Sequence, residues 1–167
     1  MKSISIKNTK IKRASKKDAN EILRLQKLAY VSEAEIIDDF TIPPLHQSEA
    51  EIVSEFKNHI FLKIVLDGKI IGSVRAYQKG DACYIGKLIV HPDMQDLGIG
   101  SRLLHGAEKS YPDVFRYELF TGSKSEKNLH IYKKYGYSPF KNQNISDKLI
   151  LVFMEKMNKN RNKRNPT

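Results

Sequence analysis

The stretch of sequence that decides the fold is HPDMQDLGIGSRLL, residues 91–104, which follows an apolar run and precedes a segment with helical spacing. Its two glycines, Gly98 and Gly100, stand where a buried strand would give way to a helix. Glycine lets backbone N–H groups converge without a Cβ atom between them, and the first N–H groups of a helix have no partner inside it. The turn therefore predicts an anion site built from backbone.

Two familiar phosphate-binding loops fit this turn poorly. A P-loop needs lysine and then serine or threonine after its last glycine, whereas Gly100 is followed by Ser101 and Arg102. A dinucleotide-binding turn needs a third glycine at position 103, which is Leu103. The turn alone does not identify a ligand, because a glycine pair before a helix can also have a purely structural role.

Length and composition bound the class of protein. The chain has 167 residues, enough to bury a core, and one cysteine, Cys83. A single cysteine excludes an intrachain disulfide and a cysteine-based metal site, and we expect a small buried strand residue and no bound metal. No apolar run approaches the ~20 residues of a membrane span, and the basic residues 1–17 lack an apolar signal region. We expect a cytoplasmic protein that does not bind membranes.

The net charge of +10 is unevenly distributed. Basic residues cluster in residues 2–17 and 155–167, whereas residues 31–55 contain seven acids and no lysine or arginine. A basic excess is compatible with nucleic acid, with an anionic cofactor or with solubility alone. Nucleic-acid binding is not favoured, because the sequence lacks the alternation of basic and aromatic residues found in single-strand binders. Residues 1–157 are interpreted as one domain and residues 158–167 as a basic, flexible tail.

The periodicity of the chain predicts the element order β-α-α-β-β-β-α-β-α-β-β, which indicates a mixed sheet flanked by helices. A capping box at Ser15 and Asp18 should start the first helix, and Ser125 should cap the last. The expected inward residues of the first helix are Ile22, Leu25, Leu28 and Ala29. The expected later strands are residues 60–66, 69–78, 82–90, 116–121, 137–140 and 148–154.

Two segments closely resemble the signatures of the GCN5-related N-acetyltransferase (GNAT) family. The first is residues 88–104, in which Gln95, Gly98 and Gly100 match the pattern Gln/Arg-x-x-Gly-x-Gly/Ala after a strand ending in Val-x-Pro. The second is residues 128–137, where Asn128 and Tyr132 match Asn-x-x-x-Tyr-x-x-x-Gly-Phe/Tyr. The resemblance covers residues 11–157 and is to uncharacterised bacterial-type members.

The resemblance implies an α/β (α+β) GNAT fold: a mixed, mostly antiparallel sheet of six to seven strands, about four flanking helices, and a splay after the fourth strand. It also implies acetyl-CoA as co-substrate, with the pyrophosphate held by the turn and pantetheine paired with the exposed strand edge. The implied cofactor contacts are Leu88, Ile89, Val90, Gln95, Asp96, Leu97, Gly98, Ile99, Gly100, Ser101, Asn128 and Tyr132. Further candidates for the adenosine 3′-phosphate are Arg102, Lys127, Lys133 and Lys134.

The activity implied by the resemblance is direct transfer of an acetyl group to a primary amine of a small molecule or peptide in a ternary complex. The Leu88 backbone N–H would stabilise the oxyanion, and Tyr132 would protonate the CoA thiolate. The general base stays open, because the family position that can carry a glutamate is Tyr84 here. Tyr84 could order a water chain, and the remaining candidates are Glu33, Glu35, His46 and Glu118.

The acidic residues 31–55 fall in the connection between the first two helices, which in the family walls the acceptor site. They predict a cationic amine acceptor or, equally, a solvated acidic surface. A catalytically weak CoA-binding regulatory module is the alternative function; the missing glutamate at position 84 favours it and the presence of Tyr132 opposes it. The sequence also leaves a homodimer open.

Overall fold

The structure, a computed structural model, describes residues 6–161 and is organised around one seven-stranded sheet. Its strands are β1 (Ile11–Arg13), β2 (Ile60–Leu66), β3 (Lys69–Lys79), β4 (Ala82–Val90), β5 (Arg116–Gly122), β6 (Ser138–Asn144) and β7 (Ile150–Met157). Its helices are α1 (Ala19–Ile37), α2 (Pro43–His46), α3 (Glu49–Glu55), α4 (Ile99–Ser110) and α5 (Glu126–Lys134). The strand order is β1-β2-β3-β4-β5-β7-β6, which confirms the predicted fold class.

The sheet opens between β4 and β5. Every other neighbouring pair is antiparallel, whereas β4 and β5 are parallel and pair only over residues 82–84 and 116–118. Beyond that point β4 continues to Val90 and β5 to Gly122 without pairing to each other. The predicted splay after the fourth strand is therefore confirmed.

Helices cover both faces of the sheet. On one face, α4 and α5 pack through Ile99, Leu103 and Tyr132 into a cluster with inward residues of β2 to β5 and β7. On the other face, α1 and α3 pack against residues that include Phe61 and Ile89. Strands β2, β3 and β4 thus bury side chains on both faces, as expected where helices cover both sides of a sheet.

Short sequence signals fix several local structures. In the β2–β3 hairpin, Asp67 and Gly68 have φ values of 50° and 75°, the left-handed pair that a type I′ turn requires. The capping box ahead of α1 is present, and the Asp18 carboxylate accepts a hydrogen bond from the Ser15 N–H at 2.9 Å. The predicted bounds of β2 and β4 agree with the structure.

Other expectations are corrected. Leu28 does not face the core: it is 46% exposed, and α1 buries Leu23 and Gln26 instead. The connection between the first two helices does not begin near Val31 as expected. Instead, α1 continues to Ile37, and its last turns pack against a small cluster with Ile42. Prolines 43 and 44 begin α2, since proline is tolerated at the first positions of a helix.

The C-terminal boundary is described as far as Arg161. Asn158 is tied to the domain, because its side-chain amide donates to the carbonyls of Pro112 and Val114 at 2.9 and 2.8 Å. The rest of the predicted tail lies outside the described residues. Within residues 6–161, no helix combines the length and apolarity that crossing a membrane requires.

Candidate active site

The turn before α4 presents an N-terminal cluster of backbone donors. Gly98 precedes α4 with a left-handed φ of 81°, and Asp96 is also left-handed with φ 62°. The Arg102 N–H donates to the Gly98 carbonyl at 3.2 Å, so the three preceding N–H groups, at residues 99–101, begin the helix without a partner one turn earlier. These donors and the helix dipole favour an anion at this end.

The space outside the turn is open. A Cβ atom at Gly98 would meet no atom within 4 Å, so glycine is required there by the backbone conformation and not by neighbouring side chains. At Gly100 a Cβ atom would lie 3.7 Å from Val90 Cγ2, an ordinary contact. The turn is thus exposed, and its conformation is set by the backbone.

Beside the turn, the splay leaves an unpaired edge along the second half of β4. Ile89 is 3% exposed and packs towards α1, whereas Leu88 and Val90 pack against the cluster under α4. The side chains of these residues therefore serve the core. Only their backbone is available to a ligand in the splay, and that is the contact implied for pantetheine.

On α5, Tyr132 is buried at the bottom of the splay. It is 8% exposed, and its ring makes an edge-to-face contact with Tyr137 at a centroid distance of 6.1 Å. Burial raises the pKa of the Tyr132 phenol well above its ordinary value, and the charges of Tyr30 and Glu33 raise it further. The phenol therefore keeps its proton throughout the neutral range.

Glu33 connects α1 with the start of α5. Its carboxylate accepts hydrogen bonds from the Ser125 hydroxyl and, at 3.2 Å, from the Asn128 side-chain amide. The same amide also donates to Thr121 Oγ1 at 3.3 Å. Ser125 is the N-cap residue of α5, as predicted, but its hydroxyl makes no capping bond to the helix and donates to Glu33 instead. Glu33 thus lies beside Asn128 and within electrostatic range of Tyr132.

The other candidates for the base lie apart from Glu33. Tyr84 stacks on Tyr77 with ring centroids 5.1 Å apart and is aligned with Glu118 on β5. Glu118 is engaged by Arg116 in an ion pair. His46 Nε2 is 2.8 Å from the Phe40 carbonyl, and Glu35 is exposed.

The acidic stretch is distributed over two helices and their connection, and most of its carboxylates have partners. Glu55 pairs with Arg75 at 2.7 Å, and Glu49 accepts from Asn20 at 2.8 Å. Similar contacts engage the acids at 33, 38, 39 and 51. Among the described residues only Glu55 and Asp38 have cationic partners, so the stretch keeps most of its negative charge, and Glu33 is the acid whose contacts reach α5.

The basic residues near the turn, Arg102 and Lys127, make contacts in different parts of the molecule. Arg102 points to the N-terminal segment, where it donates to Thr9 Oγ1 at 2.9 Å and to the Ile6 carbonyl at 3.3 Å. Lys127 reaches across to the turn and pairs with Asp96 at 3.0 Å. Lys127 therefore lies beside the proposed phosphate site, whereas Arg102 is engaged elsewhere.

Sequence reasoning missed the buried network around Arg75 on β3. Arg75 is 3% exposed and donates to Glu55, to Gln47 at 3.2 Å and to Gln26. Gln26 is fully buried, and it lies one turn after the core residue Ile22. The sequence signal for this network was the polar Gln26 on the apolar face of α1. The four members of the network lie far apart in the sequence, so their contacts could not be predicted. In the part of the chain described here, no three His, Cys, Asp or Glu side chains come together as metal ligands would.

A mixed sheet that splays beside a glycine turn at a helix N-terminus is the architecture expected of the GNAT class. The chain belongs to the Acetyltransferase (GNAT) family, whose sequence model matches residues 20–137. It is 29% identical over 133 residues to the UPF0157 protein YqkA of Bacillus subtilis (strain 168), covering 80% of this chain. The chain spans 38% of that curated relative's length.

Solved structures share the fold. The PaiA N-acetyltransferase of Thermoplasma acidophilum, in complex with coenzyme A, superposes with a TM-score of 0.75 at 16% identity, over 90% of this chain and 99% of that one. The ribosomal-protein-S18-alanine N-acetyltransferase of Escherichia coli gives 0.73 at 15% identity, over 89% and 93%. At these identities the likeness concerns the fold.

Proposed function

We propose that the protein is an acetyl-CoA-dependent N-acetyltransferase that transfers the acetyl group directly to a primary amine in a ternary complex. The observation that carries the proposal is the set of N–H donors that begins α4 at residues 99–101, next to the unpaired edge of β4. Family membership supports the same conclusion.

The binding roles follow from the positions of the backbone. The turn, residues 95–101, would hold the pyrophosphate, with Lys127 adding a positive charge beside it. Residues 88–90 would pair with pantetheine through the open strand edge. The Leu88 N–H would donate to the thioester oxygen, and a donor of this kind commonly contributes a few kcal/mol in the transition state.

The chemical step needs one proton removed and one returned. The amine nitrogen forms a bond to the acetyl carbon, and the carbon–sulfur bond breaks. We assign removal of the amine proton to Glu33, acting directly or through water, because it is the carboxylate that interacts electrostatically with Tyr132. Tyr132 then protonates the departing thiolate, for which its retained proton suits it. Tyr84 would order water on the opposite side.

The acceptor side supports an amine that is cationic in solution. Glu33 would attract the ammonium form before it loses its proton; the exposed Glu35, two residues later on α1, faces a different direction. Acetyl-CoA and this amine are the proposed partners, and the single buried cysteine suits the reducing cytoplasm in which we expect the reaction.

A catalytically weak CoA-binding module is the second candidate, because β4 carries no carboxylate beside the splay and Glu118 is neutralised by Arg116. A thiol-release assay with acetyl-CoA, run against amines, polyamines, amino acids, aminoglycosides and peptides, separates the two. We expect acceptor-dependent release of CoA with at least one class. CoA binding by calorimetry, with no acceptor raising thiol release above acetyl-CoA hydrolysis, would favour the second candidate.

A further inference from the structure

A bulge of one extra residue on β4 directs the side chain of Lys87 away from the side of the sheet where we propose that the cofactor binds. Arg75 on β3 is aligned with Gly86, and Ser73 with Ile89, so that Lys87 and Leu88 together face a single β3 residue. Lys87 has a left-handed φ of 48°, which marks the bulge. Its side chain lines a cleft of about 360 Å³ together with Pro43, Pro44, His46, Gln47 and Glu51.

The Lys87 ammonium has no partner in this cleft. Within residues 6–161 it makes no hydrogen bond and no ion pair. The nearest opposite charge is Glu55, which is already paired with the buried Arg75 at 2.7 Å. Burial lowers the pKa of Lys87, Arg75 lowers it further, and Glu55 raises it. The Arg75–Glu55 pair is balanced in charge, and Glu51, an exposed acid, lines the cleft, but within the described residues no ion pair compensates the positive charge of Lys87.

The remaining charged groups of the cleft do not neutralise this lysine. Glu51 is exposed, and its carboxylate accepts the Ser48 N–H at 2.7 Å, outside ion-pair distance of Lys87. His46 is held at the Phe40 carbonyl. Arg75 donates to Gln47, which lines the cleft. Its Nε atom is buried and is a second donor without a hydrogen-bond partner within the described residues. A partly buried cation without a partner is costly, and an anionic ligand group would offset that cost.

We propose that this cleft binds a carboxylate of the acceptor, with Lys87 as the specificity-determining residue. One uncompensated positive charge matches the single charge of a carboxylate better than the double charge of a phosphate. Lys87 immediately precedes Leu88, whose N–H is assigned to the thioester oxygen. This adjacency suits a short acceptor in which the amine and the carboxylate lie close together, as in an amino acid. The inference rests on the proposed function and narrows its acceptor to amines that carry a carboxylate.

The test uses matched acceptors that differ only in that charge. Initial rates are measured with a panel of L-amino acids and their carboxamides, for the wild type, Lys87→Gln, Lys87→Arg and the exposed control Lys57→Gln. In the wild type we expect KM for the accepted amino acid to be lower than for its carboxamide by about tenfold, since hydrogen bonds to charged groups are of that strength. The preference falls to about unity in Lys87→Gln and persists in Lys87→Arg and Lys57→Gln, with KM for acetyl-CoA unchanged. Equal KM values in the wild type, or a preference that survives Lys87→Gln, would overturn the inference.

A binding experiment keeps this result separate from catalysis. Calorimetry in the presence of CoA measures the affinity of N-acetyl-L-amino acids with acidic, basic, aromatic and aliphatic side chains, and of their carboxamides. Carboxylate-dependent binding that Lys87→Gln abolishes supports the inference even if no acetyl transfer occurs. If the wild type binds none of the carboxylates, or binds carboxamides equally well, the inference is wrong, whether or not the protein is an acetyltransferase.

Discussion

The two sides of the splay are built by different means. The cofactor side, formed by the edge of β4, the turn and the start of α4, comes from one continuous stretch, and its proposed ligand contacts are backbone groups. The acceptor side, formed by α1, α2, α3 and the outward face of β3 and β4, depends on the side chains of Glu33, Arg75 and Lys87. In this proposal, cofactor binding depends on backbone conformation, whereas acceptor choice depends on charges brought together from distant parts of the chain.

The largest effect is expected at Tyr132, where the two sides meet. Tyr132→Phe removes the proposed proton donor and should lower kcat by about 100-fold, the lower end of what general acids contribute. CoA affinity should change less than twofold. Because burial holds the pKa of Tyr132 above its ordinary value of 10.0, the wild-type kcat should show no loss from ionisation of this phenol up to pH 10. Tyr135→Phe, at a partly buried tyrosine that lies at the end of the same helix and packs on His105, is the control. A Tyr132→Phe enzyme with the wild-type kcat would exclude the proton-donor role.

A smaller effect, confined to the acceptor side, is expected from Glu55→Gln. The change leaves the guanidinium of Arg75, which is 3% exposed, without its ion-pair partner. We expect the free energy of unfolding in urea to fall by about 2 to 3 kcal/mol, less than the roughly 3 to 5 kcal/mol of a fully buried pair, because the Glu55 side chain is 28% exposed. Glu49→Gln, on the exposed face of the same helix, should cost less than about 0.5 kcal/mol. Equal stability of the two variants would mean that the Arg75 network does not hold the acceptor side together.

The smallest effect concerns the packing that positions α4 on the cofactor side. A Cβ atom at Gly72 would lie 2.8 Å from Ile99 Cγ2 and 2.9 Å from Leu103 Cδ1, so Gly72→Ala forces the start of α4 outwards. We expect a loss of about 1 to 2 kcal/mol in the free energy of unfolding. Gly86→Ala is the matched control, since a Cβ atom there meets nothing within 4 Å. Thermal unfolding curves that coincide for the two variants would contradict this packing role.

The sequence predicted the cofactor side well because its signals are local. The glycine turn, the bounds of β4 and the element order all follow from patterns within a few residues, and the splay followed from the family resemblance. The contacts of the turn with CoA stay predictions.

The acceptor side was predicted poorly because its geometry is set by tertiary contacts. Ser125 looked like a helix cap, yet its hydroxyl is taken by Glu33, 92 residues earlier in the chain. The acidic stretch looked like one charged wall, yet its carboxylates pair individually. Gly86, directly before Lys87, is the sequence signal of the bulge, since glycine inside a strand often marks one, but the direction of the Lys87 side chain depends on the pairing with β3.

The most direct test of the proposed cofactor site is the CoA affinity of Gly98→Val, measured by calorimetry beside Gly80→Val. Both glycines have a left-handed φ, 81° and 59°, and open space around them, so both substitutions should impose similar backbone strain of about 1 to 2 kcal/mol. Only Gly98 lies in the turn. We predict that Gly98→Val weakens CoA binding by at least about tenfold, while Gly80→Val leaves the dissociation constant within twofold of the wild type. An unchanged CoA affinity in a folded Gly98→Val protein would contradict the assignment of the turn as the pyrophosphate site.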